Sequence, residues 1–114
     1  MSVKNSIKAI PMAAISSTVL TASFQPINVG GLPNACFLLK FNNFTTAFVV
    51  ISLDGITDHD TIDFGASAEV YGGIGSSQPQ NETCLWTKGQ VFYVRGTAGT
   101  GVFSLSGYYQ PQGD

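Results

Sequence analysis

At 114 residues and 12.0 kDa the chain has the length of one domain, with enough surface to bury on folding for one core without staples. Only 11% of its residues are charged, where ordinary soluble domains carry about 25%, while 44% are hydrophobic. Seven acids against five scattered bases give a net charge of -2, which excludes an electrostatic footprint for nucleic acid or an anionic membrane.

The N-terminus imitates the basic and apolar regions of a signal peptide, with Lys4 and Lys8 ahead of Ala9–Ile15. Ser16-Ser17-Thr18 breaks that apolar run, which is also too short to span a bilayer. Residues 1–12 are therefore expected as an ordered arm, residues 13–110 as the domain and residues 111–114 as a polar tail. A single helical turn is the most that residues 4–13 offer.

From residue 14 onward strand signals dominate. Residues 14–23 are rich in β-branched side chains and Ser, which favours a strand over a helix. Residues 24–29 suggest a second short strand, which Pro26 pushes to a sheet edge. The loop 30–34 (GGLPN) leads to two apolar runs, 34–41 and 45–53, joined at Asn42-Asn43. They are expected as adjacent antiparallel strands, the second covered on both faces. Asp54-Gly55 signals a turn, with the hairpin returning near residues 60–64. Strands follow at 66–71, 84–86 and 90–95, with the polar loop 72–81 between the first two. The closing strand, 101–109, puts Phe103, Leu105 and Tyr109 on one face and Ser104, Ser106 and Tyr108 on the other. Short strands with turns every 8–12 residues predict an all-β fold, a single antiparallel β-sandwich of jelly-roll or immunoglobulin-like type with two sheets and an extended N-terminal arm.

Candidate chemistry is thin. Asp54, Asp58, His59 and Asp60 gather possible ligands in one loop, but their spacing fits neither an EF-hand nor a zinc site. A polar hairpin whose Asp side chains cap backbone N–H groups is the better reading, so no metal is expected. One histidine and no G-x-S-x-G leave no hydrolytic triad. Gly72-Gly73-Ile74-Gly75-Ser76-Ser77 lacks the Lys-Ser/Thr ending of a phosphate-binding loop. Neither a catalytic nor a cofactor site is expected. Asn43-Phe44-Thr45 and Asn81-Glu82-Thr83 match the glycosylation sequon, relevant only in a eukaryotic secretory host. Cys36 and Cys84 leave a single bridge open beside the alternative of two reduced core thiols.

The eight phenylalanines, Phe24, Phe37, Phe41, Phe44, Phe48, Phe64, Phe92 and Phe103, are expected in the core. Trp86, Tyr71, Tyr93, Tyr108 and Tyr109 suit either half-buried structural positions or a sugar-stacking platform, with the structural reading favoured.

The block Val49-Val50-Ile51-Ser52-Leu53-Asp54-Gly55-Ile56-Thr57-Asp58-His59-Asp60, the later run from Lys88 to Gly101, and the opening Ser17, Thr18, Leu20, Thr21, Ala22, Ser23, Phe24 and Gln25 together resemble small virion structural proteins of tailed bacteriophages. That resemblance spans about residues 16–109. It implies a non-enzymatic capsid decoration or cement protein with a β-sandwich fold, assembled in the host cytoplasm onto the virion. Its partners would be major capsid or neck and tail subunits and copies of itself, and it brings no catalytic residues. The alternatives are a neck or tail accessory protein and a carbohydrate-binding β-sandwich.

Overall fold

The computed structural model describes residues 7–71 and 86–109. The expected loop 72–81, Cys84, the Asn81 sequon, the first half of the arm and the tail 111–114 lie outside the described residues, as does the Tyr71 side chain.

Among the described residues nine strands form two antiparallel sheets: β1 (Lys8–Ala9), β2 (Ala13–Ser16), β3 (Gln25–Pro26), β4 (Leu38–Asn43), β5 (Val49–Ser52), β6 (Asp60–Ile62), β7 (Ser67–Tyr71), β8 (Tyr93–Gly96) and β9 (Val102–Tyr109). In the first sheet β9 lies between β4 and the interrupted edge β1–β2, and β7 closes the far side of β4. The second sheet runs β3-β8-β5-β6. With β1 and β2 counted as one interrupted strand, chain positions 1-8-3-6 face 2-7-4-5, the strand order of a jelly roll. The expected all-β sandwich of two sheets is therefore present, and of its two forms the topology is the jelly roll.

Alternation places the core. Along β4, Leu39, Phe41 and Asn43 point inward while Leu38, Lys40 and Asn42 are half-exposed. Lys40 sits opposite Glu69 in the β4–β7 register. Phe103 and Leu105 of β9 and Val49, Ile51 and Val94 of the second sheet meet them across the sandwich. Phe41 packs edge-on against Phe92, with ring centroids 5.5 Å apart, and lies 6.0 Å from Phe103. A fully buried ring of this kind contributes about 3 kcal/mol by area, so this trio anchors the two sheets to each other.

Four expectations need correction. The runs 34–41 and 45–53 are not partners: β4 pairs with β7 and β9, β5 with β6 and β8. Two apolar runs joined by a short polar link look like a hairpin in one dimension, but residues 44–48 carry the chain across the sandwich from one sheet to the other. The strand expected over 14–23 stops at Ser16. There the Ser16 hydroxyl accepts the N–H of Thr18, and Ser17–Val19 forms a single 3-10 turn, as short polar side chains that bond nearby backbone tend to do. That turn is the one helical element among the described residues, and it lies beyond residues 4–13, the segment that offered at most a single turn. Finally, the arm is not wholly peripheral. Lys8 and Ala9 pair with Tyr109 and Tyr108, and Ile10 is buried in the core, its N–H donating to Gly107.

Candidate interaction surface

The loop between β5 and β6 carries Asp54, Asp58 and His59, Asp60 opens β6, and at least one polar side-chain atom of each holds local structure. Asp54 Oδ1 accepts the N–H groups of Ile56 and Thr57, both at 2.8 Å, and the Ser52 hydroxyl. The N–H bonds from Thr57 and Ile56, then the Ser52 hydroxyl, hold its carboxyl far below the usual carboxylate range. Asp58 takes a two-pronged ion pair from Arg95, whose hydrogen bond lowers its pKa and raises that of the guanidinium. His59 Nδ1 accepts the N–H of Leu53 at 3.0 Å, and Asp60 Oδ1 accepts that of Thr61. Among the described residues no group of three or more His, Cys, Asp and Glu is placed to hold a metal ion.

The proposed aromatic platform is divided. Trp86 packs on the core beside Phe92, ring centroids 5.6 Å apart, and its backbone exchanges two hydrogen bonds with Cys36. Tyr109 also packs on the core. Tyr93 alternates with inward Val94 and so faces out from the second sheet, whereas Tyr108 faces out from the first. No shared stacking surface results from these four residues. Cys36 is buried as a free thiol, and burial pushes its pKa up.

The expectation that every phenylalanine is internal fails at one end of the sandwich. The loops 17–24, 44–48, 63–66 and 97–101 all lie there, since each follows a strand running in that direction. Phe44, Phe48 and Phe64 are 66%, 52% and 62% exposed, and Val19 and Val102 are exposed beside these loops. Asp63 is the one charged residue in the four loops.

Beneath this apolar end the backbone is tightly tied, and Asn43 does the tying. It sits at the inward position that ends β4 and is fully buried. Its Oδ1 accepts the N–H and hydroxyl of Thr45 at 2.9 and 2.6 Å. Its Nδ2 donates to the carbonyls of Ala47 and Ile62 at 3.0 and 2.8 Å. Its main chain bonds Ala66 and Gly65. Both acceptor sites and both donors of the amide are thus used, and the segments they hold are those that carry Phe44, Phe48 and Phe64. Gly101, at φ 97°, lies so close to the Phe44 carbonyl that a Cβ has no room there. The rings therefore stand on a fixed frame. The Asn43 sequon, by the same geometry, is closed in the folded chain.

Sequence reasoning misses this surface because core packing is the default for phenylalanine and Phe48 lies inside the apolar run 45–53. The available signal was the absence of charge from residues 17–24, 44–48 and 97–101. A second apolar surface is a groove of about 450 Å³ between residues 10–14 and 27–33, floored by Ile27, Leu32 and Leu105. It is the open side of the sandwich between the β1–β2 edge and the chain that follows β3.

No family model matches the sequence. No curated protein matches it either. Among solved structures, a chain described under the words "Bacillus endospore appendages form a novel family of disulfide-linked pili" is similar over 96% of this chain and 95% of its own, at 16% identity and a TM-score of 0.47. At that identity and score the likeness carries no argument about what this chain does.

Proposed function

We propose that this chain is a non-enzymatic structural subunit that works by packing against other protein subunits. The observation that carries the reading is the rigid, nearly charge-free end bearing Phe44, Phe48 and Phe64. An exposed apolar patch of a few hundred Å², the size of the largest on an ordinary monomer, is often a functional surface. The commitment of Asp54, Asp58 and His59 to loop structure supports the absence of acid–base chemistry. The finer form of this reading, a decoration or cement protein on a phage virion or a neck or tail component of the same particle, rests on the sequence resemblance, and the comparisons add nothing to it. The carbohydrate-binding alternative loses its support with the division of the aromatic residues between opposite faces and the core.

The test is to isolate the chain from its native source without denaturant and measure the mass and copy number of the particle that contains it. A multi-copy assembly is the expected result. A native chain recovered solely as a monomer with turnover of a small substrate overturns the reading.

A further inference from the structure

We propose that the end bearing Phe44, Phe48 and Phe64 is the contact between two copies of this chain, which meet end to end about a two-fold axis. The inference rests on the structural-subunit reading and names the partner and the geometry of one of its contacts.

Area is the first argument. Taking about 200 Å² for a phenyl side chain, the three exposures leave roughly 350 Å² of aromatic surface on each copy. Two such surfaces, with Val19, Val102 and the surrounding Thr and Ser, reach the ~1,000 Å² that a specific interface needs in total.

Charge is the second. A two-fold contact sets a patch against itself, so any charge in it meets its own image. The loops 17–24, 44–48 and 97–101 contain no charged residue, and 63–66 contains only Asp63. Self-contact therefore sets Asp63 as the one loop charge against its own image, with Arg95 held over the Phe24 ring at the margin. A head-to-tail stack instead sets this surface on the opposite end, where loops 53–59 and 87–91 carry Asp54, Asp58 and Lys88 beside the uncharged loop 27–37. Covering them with phenylalanine costs their solvation, in full for Lys88 and less for Asp58, which Arg95 already pairs.

Rigidity is the third. Asn43 and the Gly101–Phe44 approach hold the ring-bearing segments in place before any partner arrives, so association orders little backbone.

The experiment uses charge at position 64, which is exposed and outside the Asn43 network. The full chain is compared with Phe64→Glu and Phe64→Lys by sedimentation equilibrium, with circular dichroism melts to confirm the fold. Each variant alone should weaken self-association at least tenfold, because like charges then face each other across the axis. An equimolar mixture of the two should restore it. A photo-reactive phenylalanine analogue at position 48 should cross-link to residues 44–48 or 63–66 of the second copy. Self-association that neither variant weakens, or cross-links to residues 27–37 or 53–59, overturns the end-to-end contact and leaves the subunit reading standing. A chain that stays monomeric at every concentration while binding a different subunit overturns it equally. A chain that associates with nothing overturns both.

Discussion

The side-chain amide of Asn43, on the sheet that holds β9, donates to the carbonyl of Ile62, on the opposite sheet, at 2.8 Å. A polar side chain thereby joins the two layers inside what is otherwise an apolar core. Removing it leaves the carbonyl of Ile62 and the N–H of Thr45 short of partners, each at about 1–3 kcal/mol, while the part-buried carbonyl of Ala47 keeps the Thr45 hydroxyl. Asn43→Ala should lower unfolding stability by about 3 kcal/mol in urea titrations. Asn43→Asp should cost at least as much, since a carboxylate there faces two carbonyl oxygens.

Glycines with positive φ divide into two kinds that mutation should separate. Gly30, at φ 88°, has open space where a Cβ would go, so Gly30→Ala should cost about 1 kcal/mol from backbone conformation alone. Gly101, at φ 97°, abuts the carbonyl of Phe44. Gly101→Ala adds a steric clash with fixed backbone and should cost at least about 2 kcal/mol more than the change at Gly30. Paired denaturation curves decide it.

Acid sensitivity should follow Asp54 and Asp58. Both carboxyl groups titrate below their ordinary value in the folded chain, Asp54 through the N–H groups of Thr57 and Ile56 and Asp58 through Arg95. A depressed folded pKa gives stability that is present above the unfolded value of about 3.9 and is lost as pH falls through the folded one. Melting temperature should therefore change little between about pH 7 and 5 on account of these groups and fall below about pH 4. Asp54→Asn should flatten that acid limb.

Cys36 should be chemically quiet. Burial raises its pKa and removes it from solvent, so the reactive thiolate is scarce at neutral pH. Peptide mapping after brief alkylation should find Cys36 unlabelled in the native chain and labelled in urea. Rapid native labelling contradicts the placement.

Much of this fold was legible in one dimension. The alternation in residues 101–109 gave β9, the apolar block 49–52 gave a strand buried on both faces, and Pro26 marked an edge. Local pattern does not record which sheet a strand joins, so β4 and β5 were read as a pair although they lie in different layers. Asn43 was read as a turn residue for a related reason. Its type favours turns, and only the inward parity at the end of β4 turns it into a buried cross-link. The loop chemistry at 52–59 was legible because Asp capping is local. The exposed phenylalanines were not, since ring exposure depends on where four separate loops come together.

The central position of β9 governs when this chain can fold. It lies between β4 and the β1–β2 edge, so the N-terminal strands have no partner in their sheet until residues 102–109 have left the ribosome. β8 stands between β3 and β5 in the same way. Neither layer is complete until β8 and β9 have been made. β1, β2 and β3 must wait for β8 and β9, whereas β4 can pair with β7 and β5 with β6 before them. Long-range pairing of this sort is intrinsically slow and exposes the nascent chain to aggregation. Synthesis rate and chaperone supply, rather than the stability of the finished sandwich, should set how much of the protein a cell accumulates.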